Sequence, residues 1–94
     1  MNMLEIIKFI DELIRKEYKG NEEISSFYLI SLITKAVMND NEKNKTDLHN
    51  YIIKKFDYLE QKTCSYMISI IDIYITLATM YFKKECENLK NTNN

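Results

Sequence analysis

Between Cys64 and Phe82 the chain reads CSYMISIIDIYITLATMYF, nineteen residues with a single formal charge, Asp72. A segment this long and this apolar must be covered on several sides or laid into lipid, and that choice decides the fold. Read as a helix, it places Ser65, Ser69, Asp72, Thr76 and Thr79 within about 80° of one another. The same narrow ribbon collects Lys54, Tyr58 and Gln61 before the segment, and Lys83, Glu87 and Lys90 after it. The remaining arc, about 240° wide, carries Tyr66, Met67, Ile70, Ile71, Ile73, Tyr74, Leu77, Met80, Tyr81 and Phe82. A surface helix needs an apolar stripe only a little over 100° wide, so this one is expected to touch neighbours on several sides.

A membrane span is the competing reading. Against it, an acid near the centre of a spanning helix costs about 2.5 to 3.5 kcal/mol. A lipid-facing helix also gains nothing from a ribbon of hydroxyls beside that acid. The segment is therefore predicted to be the central helix of a soluble bundle, with no membrane association.

The rest of the chain supplies the cover. Met3, Ile6, Ile7, Ile10, Leu13 and Ile14 form the spacing of one helix face, predicting a first helix over 3–18. Gly20 follows as a left-handed C-cap. Asn21 then caps a second helix over 24–38, with Glu22 and Glu23 in its first turn. NDNEKNK over 39–45 reads as a loop, with Thr46 or Asp47 capping a third segment in which Leu48, Tyr51, Ile52, Phe56 and Leu59 share a face. A heptad runs on from it through Ile52, Phe56, Leu59, Thr63, Tyr66, Ile70, Ile73, Leu77 and Met80. Either one helix spans 47–90, or a break near 61–63, capped by Thr63, makes two. The unbroken ribbon favours the first; compactness favours the second, which is the reading adopted. With one Gly and no Pro, a β fold lacks its turns. The expectation is an all-α bundle of three to four helices over 1–90, with a disordered tail over 91–94.

Few chemistries are available to such a chain. His49 is the one imidazole; two residues after Asp47 at a helix start, it reads as solvated rather than as a catalytic base. Arg15 lies too far from it in sequence for a helical ribonuclease pairing, and no glycine-rich loop exists to cradle a phosphate. A metal site would need His49, Asp72 and a cysteine to converge from separate segments. Catalytic, cofactor and metal sites are thus not expected. Cys64 and Cys86, 22 residues apart on one helix, would lie about 33 Å from each other. They are expected to remain free thiols in a reducing cytoplasm.

Net charge is −1, with both signs interspersed, and only Lys43, Lys45, Lys54 and Lys55 approach a basic face. Nucleic acid is accordingly not the expected partner. Arg15 is the one arginine among thirteen Lys and Arg residues, and Ile, Lys, Asn and Tyr abound. That bias reads as AT-rich coding, as in a low-GC bacterium, its phages and mobile elements, or an AT-rich eukaryote or virus. Asp72, if buried, would need a tyrosine hydroxyl or a lysine as partner; on a solvated ribbon it needs none.

These readings point to a small non-enzymatic protein acting through protein–protein contact, in the format of inhibitors, immunity proteins or adaptors, expected as a homodimer or as a monomer that binds its target through the same surface. The candidate interface is Tyr66, Tyr74, Tyr81 and Phe82, since tyrosine offers apolar area with a polar tip. The ribbon of Ser65, Ser69, Asp72, Thr76 and Thr79 is the alternative, a polar seam allowing close helix approach. The rival readings are a nucleotide-binding oligomer and a nucleic-acid-binding regulator.

Overall fold

The computed structural model describes residues 1–92. Four helices, α1 (Met3–Glu17), α2 (Ser26–Met38), α3 (Glu42–Lys55) and α4 (Gln61–Thr92), make up an all-α bundle with no strand among the described residues. Three contacts set the alternation of direction. Tyr18, after α1, packs edge-on against Phe56, after α3, with ring centroids 5.5 Å apart. Val37, late in α2, meets Thr79 of α4. His49 in α3 meets Asp72. The helices therefore run up and down in turn, and α4 touches the other three.

The core is built from one face of each helix. Ile6, Ile7, Ile10 and Ile14 of α1 meet Leu29, Ile33, Ala36 and Val37 of α2. Leu48 and Ile52 of α3, with Phe56 beyond it, and Met67, Ile71, Ile75 and Ala78 of α4 complete it. The 32 residues of α4 extend about 48 Å at 1.5 Å per residue. That length accounts for the long dimension of a molecule measuring 52 × 21 × 21 Å.

Several helix ends differ from the sequence-based expectation. The chain leaves α1 at Tyr18 in an extended conformation, and Gly20 has no positive φ, so it is not a left-handed cap. Its role is steric. The Tyr18 ring folds over Gly20, where any Cβ would run into it. From there the Tyr18 hydroxyl accepts from the Glu22 amide at 3.0 Å.

Ser25, rather than Asn21, caps α2, its Oγ accepting from the Tyr28 amide at 3.4 Å. Ile24 is drawn into the core and its carbonyl accepts from Arg15 Nη1 at 3.1 Å. This anchorage holds the backbone out of helix until Ser25. Arg15 Nε is itself tied to both carboxylate oxygens of Asp11 at 3.1 Å, and Glu22 pairs with Lys55 rather than starting a helix.

The polar run after α2 is mostly the first turn of α3. Asn41 caps it, accepting from the Asn44 amide at 2.9 Å, so neither Thr46 nor Asp47 does. A fully solvated turn needs no apolar residue, which is why its composition reads as loop. Of the two arrangements considered for 47–90, the broken one is found, with the break at 56–60 rather than at 61–63. Buried Phe56 closes α3, its carbonyl accepts from the Leu59 amide, and the Glu60 carbonyl accepts from the Cys64 amide. Thr63 lies inside the first turn and is not the cap. Helix α4 then continues through Asn91 to Thr92; the rest of the expected tail, 93–94, lies outside the described residues.

Candidate functional site

Packing divides α4 into two sides. Cys64, Met67, Ile71, Ile75 and Ala78 face the bundle, with Tyr81 and Phe82 half-buried against it. The opposite side carries Tyr66, Ile73 and Met80, which are 70%, 66% and 62% exposed. Ile70 and Leu77, half-buried, fall between them. Steps of four and three residues join these five side chains into one heptad seam. Along one edge, Tyr74 leans against Phe9 of α1, ring centroids 4.8 Å apart, and Phe9 is itself 44% exposed. The apolar strip is thus shared by two helices.

The four expected interface residues are not equivalent. Tyr66 is free, whereas Tyr74, Tyr81 and Phe82 pack partly against their own chain. Phe9, Ile73 and Met80 join Tyr66 in the exposed strip, with Tyr74 at its edge. The polar ribbon is likewise divided. Ser65, Ser69 and Thr76 are exposed, with the Ser69 hydroxyl donating to its own helix at Ser65 O. Thr79 is buried, its hydroxyl 2.9 Å from the Ile75 carbonyl and 3.2 Å from the Val37 carbonyl of α2.

Asp72 finds a partner that sequence reasoning did not name. Its Oδ1 lies 2.6 Å from His49 Nε2, joining α4 to α3 at a partly exposed position. His49 is therefore not a freely solvated residue, because the α3 face that carries it lies directly over Asp72. Among the described residues no third His, Cys, Asp or Glu joins them to form a metal-binding group. Nearby, Lys45 bonds Asp40 at 2.9 Å. That hydrogen bond and charge, with Lys83 adding a smaller effect, hold the exposed Asp40 carboxyl below its ordinary range.

A second feature lies across the molecule. An open trough of about 720 Å³ runs between α2 and α3, with Tyr28, Ser31 and Lys35 on one wall and Asn50, Tyr51 and Lys54 on the other. Lys43 and Lys55 also line it. Tyr28 and Tyr51 meet edge to face at 5.3 Å, and the Lys55 ammonium sits 5.8 Å from the Tyr51 ring centre. Three of the four lysines of the expected basic face thus gather here with Lys35. Lys45 does not, being paired with Asp40.

Both cysteines are free thiols. Burial pushes the Cys64 thiol up from its ordinary range, which keeps it protonated and unreactive near neutral pH. Thiol reagents should therefore modify partly exposed Cys86 first and Cys64 only as the chain unfolds. Equal rates in the native protein would show that the start of α4 is not covered as described.

By length and composition α4 is long and apolar enough to cross a membrane, and about a third of its most apolar window is buried against the other helices. No protein-family model, curated protein or solved structure matches this chain.

Proposed function

We propose that the protein is a non-enzymatic interaction module that works as a homodimer, with the outer face of α4 as the surface where two copies meet. The heptad seam Tyr66–Ile70–Ile73–Leu77–Met80, exposed at Tyr66, Ile73 and Met80 and half-buried at the two positions between, carries this reading. A heptad seam is matched by a helix bearing the same repeat, and a second α4 supplies one. Such a contact is isologous, each copy offering the same patch to the other. Exposed Ser69 and Thr76 flank the seam with small side chains that let two helices approach. Phe9 and Tyr74 widen the strip along one edge.

The resulting dimer acts by occupying a surface of another protein, in the manner of an inhibitor, immunity protein or adaptor. A reducing cytoplasm suits two free thiols on one helix. The test is sedimentation equilibrium from micromolar to millimolar protein. A dimer is expected, and Ile73→Glu should convert it to monomer with helicity by circular dichroism unchanged. Ile73 is the better probe than Tyr81, whose ring is part of the monomer's own packing. A chain that stays monomeric throughout this range sinks the reading. Co-sedimentation with neutral lipid vesicles, lost in Ile73→Glu, would assign the strip to a membrane surface instead.

A further inference from the structure

We propose that the trough between α2 and α3 is a binding site for a nucleotide, with the phosphates held by Lys35 and Lys54 and the base laid on Tyr28. The trough is lined from α2, α3 and Glu22, with no residue of α4. It therefore stays open whether or not two copies meet through α4, and the proposal does not rest on the dimer.

Charge is the first argument. Four lysines and two carboxylates, Glu22 and Asp47, line the trough of a chain whose net charge is −1. Lys43 is paired with Asp47 at 3.2 Å and Lys55 with Glu22 at 2.8 Å. Lys35 and Lys54 form no ion pair among the described residues, and they stand on facing walls. Lys54 acts on Glu22 through charge without a direct contact, and two ammonium groups with no ion pair of their own on facing walls form a site for an anion. The only arginine is engaged with Asp11 and Ile24, so lysine, a point-charge phosphate binder, must serve.

Aromatic surface is the second. Tyr28 is exposed, and its ring is steadied edge-on by Tyr51. A ring held in this way is a stacking platform for a base. Ser31 and Asn50 bring a hydroxyl and an amide to the same trough, suited to sugar or base edges. A volume of about 720 Å³ falls in the range of about 300 to 1,000 Å³ usual for small-ligand sites.

The test is calorimetric titration of the full chain at low salt with ATP, AMP, inorganic phosphate, an oligothymidylate and a poly-glutamate peptide. ATP should bind more tightly than AMP, and phosphate most weakly. The Lys35→Gln/Lys54→Gln double variant and Tyr28→Ala should each weaken ATP by about ten-fold. Ser65→Ala, on the far side of α4, should change nothing. An oligonucleotide that binds more tightly than ATP and loses affinity in the same variants supports the site and identifies a nucleic-acid strand as the source of its nucleotides. No heat with ATP at millimolar concentration overturns the proposal, as does ATP binding unaltered by these substitutions. Poly-glutamate binding that matches ATP and ignores Tyr28→Ala also overturns it, marking the trough as a seat for acidic peptide.

Discussion

Ile71→Ala is expected to destabilise the folded chain by about 3 to 4 kcal/mol, while Ile73→Ala, two residues further along the same helix, changes monomer stability by no more than about 0.5 kcal/mol. The residue type, helix and change are identical, and only the packing differs. Ile71 is fully buried at the centre of the α4 core face, whereas Ile73 is 66% exposed. Truncating Ile71 removes buried methyl groups and leaves a cavity that the tightly packed isoleucines of α1 and α2 fill only in part. A domain of this size is stable by about 5 to 15 kcal/mol, so the loss is a large share of the whole. Urea unfolding at low micromolar protein measures both variants. Equal costs there would mean that both sides of α4 are packed within one chain. A cost for Ile73→Ala that appears only as protein concentration rises would link the strip to the dimer, because association stabilises by mass action.

The contrast between Ile71 and Ile73 also shows what the sequence could reveal. Helical periodicity exposes the bundle because each helix must bury an apolar face, and the α1 stripe is read directly from its spacing. The α4 segment is apolar over about 240°, and nothing local distinguishes the covered part from the bare part. The distinction arises only when α1, α2 and α3 are in place and reach around to Tyr74 on one side and Asp72 on the other. Thr79 illustrates the same limit. Its hydroxyl can bond back to Ile75 within its own helix, so burial costs it little, and pattern alone assigns it to the solvated ribbon. The His49–Asp72 pair joins residues 23 apart, a relation that no spacing rule encodes. The trough residues are spread along α2 and α3, and nothing local groups them. Their convergence depends on the rotation of α2 against α3, which the buried leucines and isoleucines set.

Gly20→Ala is expected to cost about 1 to 3 kcal/mol, the range for forcing extra atoms into occupied space. In a left-handed cap the penalty would come from the backbone, and asparagine would be tolerated. Here φ is not positive, and the obstacle is the Tyr18 ring lying where the new Cβ must go. That ring cannot simply swing away. It packs edge-on to Phe56 at 5.5 Å and to Tyr58 at 6.2 Å, and its hydroxyl accepts from the Glu22 amide. The Tyr58 hydroxyl in turn accepts from the Lys19 amide at 2.7 Å. Moving Tyr18 would loosen the whole connection between α1 and α2, so Gly20→Asn should be as costly as Gly20→Ala. A Tyr18→Ala background separates the two causes. With the ring gone, Gly20→Ala should become neutral or stabilise by about 0.4 to 1 kcal/mol, since alanine leaves the unfolded chain less entropy to lose. A double-mutant cycle by urea unfolding reads this as a coupling of at least about 1 kcal/mol. The same penalty in both backgrounds would place the constraint in the Gly20 backbone and remove the Tyr18 ring from the explanation.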